Sequence, residues 1–519
     1  MKALRDMLKT RHLLLAVLCM VHLHATAQLP FWEWAQAVTG SSEVRCSNVQ
    51  AIDGGCFAPL SSAASIIFQN DTLGGSSFMV FANSSGELRM GVEMSVPRQL
   101  RDIGNGRIGF VTQVTGSAVA GGVTYISGPG IGLLTGALDT IGTTTDVLSM
   151  PNLIIGYGDH RVIDVHHGTS GVLYVLGAFT DSIALVDTVL FGTGTFLARF
   201  TNTGELIRAD QFDVFPYQNG ENGKVVEGID GTVYMAVVQT NDHEHSVLGE
   251  GLLMVALGPA GNILHVYANG NGSFYPDRDP RLAAHPSGGA YLAYSKFVGS
   301  DGPPITVLRF SSTGEELWEN SVASPTTSFG SAAPYRIEAT ALGGVLVSGY
   351  STSSLAIPGL QLLEGNPNGI VYELSADNEL RWAIGDDDGN VLGAQASMNS
   401  AGEVYVTGWF EISAQFGTHV LPQSFPSFKA YIAKIGFGSM GFIDHGPGSL
   451  GMYPNPTNDR FRVTTPSSSA KWVQVIDQQG RVVHEERITS GQIDIDVSGI
   501  RPGPYVVRSG SSVGQLIVQ

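Results

Sequence analysis

Residues 402–410 read Gly402-Glu403-Val404-Tyr405-Val406-Thr407-Gly408-Trp409-Phe410. A turn glycine leads into a strand of alternating apolar residues, which ends in a second glycine and an aromatic pair. Degenerate copies begin at Gly55, Gly122, Gly171, Gly231, Gly289, Gly344 and Gly402, and the intervals from Gly122 onward are 49, 60, 58, 55 and 58 residues. A period of this size, built from strands and turns, predicts a β-propeller with four strands in each blade.

A second repeated element lies out of phase with the first and consists of two apolar strands joined by a polar turn. Its copies are FMVFANSSGEL (78–88), FLARFTNTGEL (196–206), LMVALGPAGNI (253–263), TVLRFSSTGEELW (306–318) and IVYELSADNELRW (370–382). Asn, Ser and Gly in these turns supply the positive φ angles of a tight hairpin. Each blade is then an inner strand, the glycine-led strand and this hairpin. We expect seven blades, with six and eight as alternatives, because the copies near Gly55 and Gly122 are the least regular.

The two ends of the repeat array complement each other. The copy at Gly402 runs through AYIAKIG (430–436) and lacks the expected strand with a tryptophan. The segment FWEWAQAV (31–38) resembles LRWAIG (380–385) and can supply that strand. We therefore predict that residues 31–38 complete the final blade, because closing the ring removes two exposed sheet edges.

Composition agrees with an all-β protein. The chain has 519 residues with 66 Gly and 24 Pro, and only 14% of its residues are charged. This mixture is rich in turn formers and poor in helix formers. The net charge of −18 disfavours binding to nucleic acid or to an anionic membrane surface, because both need clustered Lys and Arg.

Residues 1–27 have the features of a secretory signal peptide. A basic start precedes an apolar run at 13–21, and the small residues Ala25-Thr26-Ala27 form a cleavage site, so the mature chain is expected to begin at Gln28. The alternative is a retained membrane anchor, for which the apolar run is short. Removal of this segment, whose net charge is +3, changes the charge of the chain from −18 to −21.

Cys46 and Cys56 are the two cysteines that remain after cleavage. In an exported chain, a pair ten residues apart predicts one disulfide that closes a local loop. The alternative is two free, buried thiols. Two cysteines alone are too few for a structural zinc site.

The repeat GEVYVTGWF, followed by FGTHV and KAYIAKIG, resembles the degenerate propeller repeats of exported Bacteroidetes proteins. The predicted propeller domain is residues 28–437. The resemblance covers roughly residues 30–437, and its motifs are specific only at 402–436 and 171–208. It implies the fold and no defined activity.

The composition changes after residues 438–450, which are rich in glycine and form a predicted linker. Residues 451–519 contain short alternating strands separated by turns, which predict a small, Ig-like antiparallel β-sandwich. Prolines 454 and 456 cannot join a strand ladder, and the last strand would leave an edge for a receptor to extend.

This segment is similar to the type A sorting domain of the type IX secretion system. The matching residues are Tyr453, Pro454, Asn455, Pro456, Asp477, Gly480, Arg481, Gly503, Tyr505, Leu516 and Val518. The resemblance implies contact with the type IX machinery, passage across the outer membrane, removal of the domain by a cell-surface sortase, and surface attachment or release. The family usually has Lys where this chain has Gln515, which weakens the expectation of attachment more than that of export.

Four polar clusters are candidates for metal or catalytic sites. Asp386, Asp388 and Asn390 could bind calcium through oxygen ligands, although a solvated turn accounts for them equally well. His243-Glu244-His245 lacks an evident third metal ligand, and His166-His167 would face opposite sides of a strand. Asp277-Arg278-Asp279 is more typical of a salt-bridged turn. The sequence therefore predicts no catalytic residue, no cofactor and no firm metal site.

Other motifs argue against common enzymes. The chain has no G-x-S-x-G nucleophile elbow, and GPGIG (128–132) is not followed by a helix that would cradle phosphate. We expect a secreted or surface-attached binding module for an unknown glycan or protein. The alternatives are an extracellular carbohydrate-active hydrolase or lyase with acidic residues at the channel mouth, and a structural adhesin of biofilm or gliding.

Overall fold

The computed structural model describes residues 30–40, 42–62, 65–68, 71–73, 75–157, 159–214, 223–239, 251–269, 280–295, 304–322, 332–352, 369–386, 391–421, 428–437, 451–453, 457–464, 472–476, 482–487, 492–501, 503–509 and 512–518. Every regular element within these ranges is a β-strand. No helix in the described part of the chain is long and apolar enough to cross a membrane. The chain divides into two compact units, residues 30–436 and a second unit that contains residues 437–519.

In chain order, the strands of the first unit are β1 (Pro30–Gly40), β2 (Val44–Cys46), β3 (Gln50–Ile52), β4 (Gly55–Ser62), β5 (Ile66–Phe68), β6 (Asp71–Leu73), β7 (Ser77–Asn83), β8 (Leu88–Glu93), β9 (Gln99–Gly104), β10 (Arg107–Ala120), β11 (Val123–Asp139), β12 (Thr144–Tyr157), β13 (His160–His167), β14 (Leu173–Phe179), β15 (Ser182–Leu185), β16 (Thr188–Phe191), β17 (Gly194–Phe200), β18 (Leu206–Phe212), β19 (Gly223–Glu227), β20 (Val233–Gln239), β21 (Gly251–Leu257), β22 (Ile263–Asn269), β23 (Arg281–Ala284), β24 (Ala290–Ser295), β25 (Ile305–Phe310), β26 (Glu316–Val322), β27 (Ala332–Ala339), β28 (Val345–Ser351), β29 (Ile370–Leu374), β30 (Leu380–Gly385), β31 (Val391–Met398), β32 (Val404–Phe410), β33 (Ala414–Phe416), β34 (His419–Leu421) and β35 (Lys429–Phe437). The second unit contains β36 (Gly451–Tyr453), β37 (Arg460–Thr464), β38 (Trp472–Ile476), β39 (Val482–Arg487), β40 (Gln492–Asp496), β41 (Gly503–Ser509) and β42 (Ser512–Val518).

The larger sheets of the first unit are antiparallel and follow the chain. Four have four strands each, in the orders β13-β14-β17-β18, β19-β20-β21-β22, β23-β24-β25-β26 and β27-β28-β29-β30. The others are β2-β4-β7-β8 with β3 on β4, β9-β10-β11-β12-β15-β16, and β31-β32-β35-β1-β5-β6. The first strands of these sheets contact one another in the cyclic order β3, β9, β13, β19, β23, β27, β31 and back to β3. Sheets arranged around such a ring form a β-propeller.

The N-terminal strand closes this ring. Strand β1 pairs with β35 and is the fourth strand of the sheet that β31 begins, and β5 pairs with its other edge. Lys434 lies 3.1 Å from Glu33 on β1 and 3.0 Å from Glu403, and its side chain is buried. The indole nitrogen of Trp34 donates to the Ser84 carbonyl of the next sheet at 3.0 Å. The predicted completion of the final blade by residues 31–38 is confirmed.

The predicted hairpins share one turn geometry. In each of the five, the first residue of the turn donates its N–H to the carbonyl four residues later, at 2.7–3.0 Å. The turns are 83–87, 201–205, 258–262, 311–315 and 375–379. The positive-φ position holds glycine in four of them, and Asn378 takes it in the fifth with a φ of 67°. Asn is the residue that best tolerates this region after glycine.

Several of these hairpin glycines lie directly against the preceding sheet. A Cβ added to Gly314 would lie 2.3 Å from His265 of β22, and one added to Gly86 would lie 2.7 Å from the Trp34 ring. Gly261 is covered in the same way by Arg208 of β18. The hairpin glycines therefore admit an outer-strand side chain of the preceding sheet as well as a positive φ.

The tyrosines of the glycine-led strands also join neighbouring sheets. The hydroxyl of Tyr174 donates to Glu227 at 2.6 Å, and that of Tyr291 donates to the Gly343 carbonyl at 2.5 Å. Tyr291 and Tyr405 are fully buried. A buried tyrosine needs a partner for its hydroxyl, and the hydroxyls of Tyr174 and Tyr291 find one on the following sheet.

The alignment of the repeat at Gly122 is wrong. Residues 123–139 form β11, the third strand of their sheet, whereas the equivalent second strand, β10, follows Gly106. Gly106 has a φ of 69° and ends the turn after β9. The hairpin of β10 and β11 is longer than its counterparts. Gly122, in the turn between these two strands, therefore lies close to the position at which the repeat period predicts the glycine before the second strand.

The predicted disulfide between Cys46 and Cys56 is also wrong. Both thiols are free and buried. Cys46 pairs with Leu60, whereas Cys56 pairs with Ala51, so four residues of β4 separate the two pairing positions. Four residues of strand span about 13 Å, which exceeds the Cα separation that a disulfide allows. Burial raises the pKa of Cys46 to about 11 and raises that of Cys56 well above its ordinary value.

The second unit consists of two antiparallel sheets, β36-β37-β40 and β39-β38-β41-β42. Their inner faces share one core, to which Phe461, Val475, Ile495 and Leu516 contribute. Strand β42 lies at an edge of its sheet, as predicted for the last strand. The linker predicted at 438–450 lies outside the described residues.

Candidate ligand-binding channel

The inner strands place one equivalent residue from each large sheet around the axis of the ring. Each inner strand is followed by a turn glycine with positive φ, and the residue seven positions before that glycine lines the central cavity. We call these residues the polar ring; they are Ser47, Gln99, Asp164, Lys224, Arg281, Arg336 and Gln395. All seven side chains are polar or charged, whereas the second strand of each sheet, which comes next in the chain, is mainly apolar. The register of the turn therefore aims one polar side chain of each sheet into the channel.

The central cavity has a volume of about 770 Å³. Its wall also contains the apolar side chains of Val165, Leu282 and Ile337. Volumes of this size are typical of sites for small molecules, in which a few polar groups fix the orientation of the ligand.

Charge in the cavity is opposite in sign to the charge of the chain. The lining residues include the cations Arg98, Lys224, Arg281 and Arg336 and the carboxylates of Asp164 and Glu338, which gives a net charge of +2. The whole chain carries −18. The lining contains two of the acidic residues that the enzyme alternative expects, but each of them faces a cation.

Ion pairs hold two of the cations against the wall. Lys224 Nζ lies 3.0 Å from Asp164 Oδ1, and Asp164 Oδ2 accepts the backbone N–H of Val225 at 3.0 Å. Arg336 lies 2.9 Å from Glu338 and also donates to Gln50 Oε1 at 3.3 Å. Lys224 is therefore held by Asp164 of the adjacent inner strand. Arg336 is held by Glu338 of its own strand and by Gln50 of β3.

Hydrogen bonds within one sheet and between adjacent sheets position the other polar groups. Arg281 donates through Nε to the carbonyl of Tyr335 at 2.7 Å, and Arg98 donates to Gln113 at 3.1 Å. Gln99 Nε2 lies 3.0 Å from His166 Nδ1, and its carbonyl accepts the backbone N–H of His167 at 2.5 Å. These bonds give the wall of the channel a defined arrangement of donors.

His166 is uncharged in the channel wall at neutral pH. Burial lowers its pKa to about 4, despite the nearby carboxylates of Asp164 and Glu227, which act in the opposite direction. Its neighbour His167 faces a separate cavity of about 300 Å³ beside Arg101. The two histidines thus point to different cavities, as expected for adjacent residues of a strand.

One further described candidate, Asp386, is not among the residues that line the channel. Asp386 is buried, and its Oδ1 accepts the backbone N–H of Gly369 at 2.7 Å, so it has a structural partner. Asp388 and Asn390 lie outside the described residues, and calcium binding there stays a prediction. Among the described residues, no three His, Cys, Asp or Glu side chains are placed to hold a metal ion.

Several predicted positions also fall outside the described ranges. They are the cleavage site Ala27–Gln28, the cluster His243-Glu244-His245, the segment Asp277-Arg278-Asp279, and the sorting-motif residues Pro454, Asn455, Pro456, Asp477, Gly480 and Arg481. Of the other sorting-motif residues, Gly503 begins β41, and Tyr505, Leu516 and Val518 are buried in the core of the second unit.

The sequence analysis missed the cations of the channel. Arg98, Lys224, Arg281 and Arg336 are scattered over the chain and form no basic run. The signal that finds most of them is register: counting back seven residues from each correct turn glycine gives the whole polar ring. The misplaced repeat at Gly122 concealed this rule.

Comparison with known proteins identifies the second unit. Residues 451–519 match the family described as secretion system C-terminal sorting domain. This segment is therefore such a domain, as its motifs predicted. No curated protein sequence matches the chain.

Solved structures resemble the first unit only remotely. The chain covers 79% of quinohemoprotein alcohol dehydrogenase ADHIIG from Pseudomonas putida HK5 with 83% of its own length, 10% identity and a TM-score of 0.38. For the β-propeller domain of the Trilobed protease from Pyrococcus furiosus, the coverage is 94% and 73%, the identity 10% and the TM-score 0.37. For the polysaccharide lyase Uly1 the values are 90%, 76%, 10% and 0.39. Likenesses this remote carry no argument about what this chain binds or does.

Proposed function

We propose that the chain is an exported binding protein, which holds an extracellular ligand in the channel of its propeller and is delivered by its sorting domain. The observation that carries the proposal is the cavity of about 770 Å³ with the polar ring around it. Export through the type IX system follows from the sorting domain. We further propose that a cell-surface sortase contacts the sorting domain and that the protein is then attached to the cell surface or released.

We assign seven blades to the propeller and an Ig-like topology to the sorting domain. Seven positive-φ glycines, each seven residues after a channel-lining residue, support the blade number. Tyr505 donates its hydroxyl to the carbonyl of Arg501 at 2.6 Å, four residues upstream. This contact resembles the tyrosine corner of immunoglobulin-like sandwiches.

Binding accounts for the channel better than hydrolysis does. Hydrolysis of a glycosidic bond by paired carboxylates needs one protonated acid and one base or nucleophile across the bond. Asp164 and Glu338, the carboxylates among the described lining residues, each lie within 3.0 Å of a cation. Both carboxylates are therefore engaged by cations of the wall itself, which favours a structural role for them.

The export half of the proposal is tested by deleting residues 451–519 in a bacterium that has the type IX system. We expect the truncated chain to stay in the periplasm, measured by fractionation and by protease accessibility on intact cells. Attaching residues 451–519 to a periplasmic reporter is the matched gain-of-function control. Undiminished surface display of the truncated chain would contradict the sorting role.

The binding half is tested by blocking the channel. Gln395→Trp places an indole in the polar ring, whereas Gln415→Trp places one on the exposed face of β33. On an array of glycans and proteins, the mature chain and Gln415→Trp should share ligands that Gln395→Trp has lost. Equal binding by all three chains would exclude the channel as the site.

A further inference from the structure

The channel is the one positively charged cavity wall that we find in the described part of an acidic protein. The polar ring alone contains three cations and one carboxylate, a net charge of +2. Adding Arg98 and Glu338, which also line the cavity, leaves this value unchanged. A single basic residue on the surface would not indicate a binding site. Here several cations line the same cavity.

We infer that the ligand in the channel is a small polyanion, a molecule with two or more carboxylate, sulfate or phosphate groups. This inference rests on the proposed function and names the chemistry of its ligand. A guanidinium group presents a planar set of donors that matches these anions bidentately. Arg281 and Arg336 belong to adjacent inner strands, β23 and β27, so their charges act on the same part of the cavity.

The wall fixes these groups before a ligand arrives. The Nε bond of Arg281 to the Tyr335 carbonyl, at 2.7 Å, holds the plane of its guanidinium group. Arg336 is held by Glu338 at 2.9 Å and by Gln50. A side chain that is already ordered loses less conformational entropy when it binds, which favours affinity.

Apolar neighbours strengthen the field of these charges inside the cavity. Val165, Leu282 and Ile337 each follow a polar-ring residue in the sequence and line the same cavity. Low-dielectric walls concentrate the field of like charges in a cleft. A cation would meet net repulsion there, and a neutral ligand would leave the excess charge unused.

Isothermal titration calorimetry on the mature chain tests the inference with three probes. Citrate and trigalacturonate carry three carboxylates each, one without and one with sugar rings, and maltotriose is a neutral sugar of the same length. We expect at least one polyanion to bind and maltotriose not to bind. Binding should weaken between about 50 and about 300 mM NaCl, because salt screens charge–charge attraction.

The decisive variant is Arg98→Gln with Arg281→Gln. Glutamine keeps a donor for the oxygens of Gln113 and Tyr335 but removes two charges from the cavity. The matched control, Arg89→Gln with Arg107→Gln, removes two charges that lie outside the lining. We expect the channel variant to lose at least about tenfold in affinity and the control to bind as the parent does. Arg98→Lys with Arg281→Lys should retain part of the affinity, which separates charge from folding.

Each outcome decides something. Binding of trigalacturonate alone assigns an anionic glycan, and binding of both polyanions assigns the shared carboxylate chemistry. Equal binding by the channel variant, or preferential binding of maltotriose, overturns the inference and leaves the proposed function standing if Gln395→Trp still abolishes binding. Failure of the array and of all three probes overturns both.

Discussion

Single residues explain where the channel is and why it is polar. A positive-φ glycine fixes the end of each inner strand, as Gly402 does with a φ of 83° and Gly171 does with the same value. The residue seven positions before this glycine lines the channel in each sheet; six of these residues lie on inner strands, and Ser47 lies between β2 and β3. The chemistry of the channel is therefore determined by seven positions that are far apart in sequence.

His166 makes stability depend on pH. Its pKa is about 4 in the folded chain, below the ordinary value of 6.5, because burial in the channel wall removes much of the solvent around the ring. The folded state thus disfavours the charged form. The stabilisation is fully present above pH 6.5 and is lost as the pH falls from 6.5 towards 4. At pH 5 the loss is up to about 2 kcal/mol.

We expect His166→Gln to flatten this acid dependence. Urea unfolding at pH 7.5 and at pH 5, compared between the parent and the variant, measures the effect. His419→Gln, which alters a histidine bound to the Trp32 carbonyl, is the matched control and should keep the parental slope. If His166→Gln and the parent lose the same stability on acidification, burial of the neutral ring is not the cause.

At the scale of elements, the sheets are joined by a repeated contact. An outer-strand side chain of one sheet covers the hairpin glycine of the next, as His265 covers Gly314 and Trp34 covers Gly86. The hairpin between second and third strands can add to this contact, since β15 pairs with β12 of the preceding sheet and β5 pairs with β1. Neighbouring blades are therefore interlocked at their rims as well as packed through their apolar faces.

Gly314→Ala tests the interlock. Both Gly314 and Gly171 have φ above 80°, so alanine costs about 1 kcal/mol at either position. At Gly171 a Cβ would meet no atom within 4 Å, whereas at Gly314 it would lie 2.3 Å from His265. We expect Gly314→Ala to reduce the unfolding free energy by about 1–3 kcal/mol more than Gly171→Ala. Thermal unfolding of both variants measures the difference, and equal losses would show that His265 moves aside without cost.

The elements also show which parts of the fold were predictable from sequence. The hairpin turns and the glycine-led strands have short, local signals, so they were found at their observed positions. The extended β10–β11 hairpin broke the period, and a period alone does not tell a second strand from a third. The cysteine pair was misjudged because spacing along the chain does not report register across β4.

At the scale of the whole molecule, closure by β1 joins the beginning of the first unit to its end. Val38 of β1 shares a core cluster with Cys46 and Cys56, so this strand covers the region of both thiols. The ring could be predicted from the missing strand of the last repeat. The polar ring could not, because its members meet only when all sheets are assembled.

Removal of residues 28–38 should therefore open the ring. We expect a lower melting temperature and faster reaction of Cys46 and Cys56 with Ellman's reagent than in the parent, whose thiols are buried and have raised pKa values. In guanidinium chloride both chains should react at two thiols, which calibrates the assay. The variant Cys46→Ser with Cys56→Ser is the control for background reaction. Unchanged melting and labelling would rule out closure as a source of stability.

The order of synthesis gives the closing strand a further consequence. Ribosomes make β1 before any other strand of the ring, yet its partner β35 is the last strand of the ring to be made. The ring therefore cannot close until nearly all of the first unit has been synthesised, and until then both partners have an unpaired strand edge. We expect closure to be a late step of folding, because contacts between distant parts of a chain form slowly.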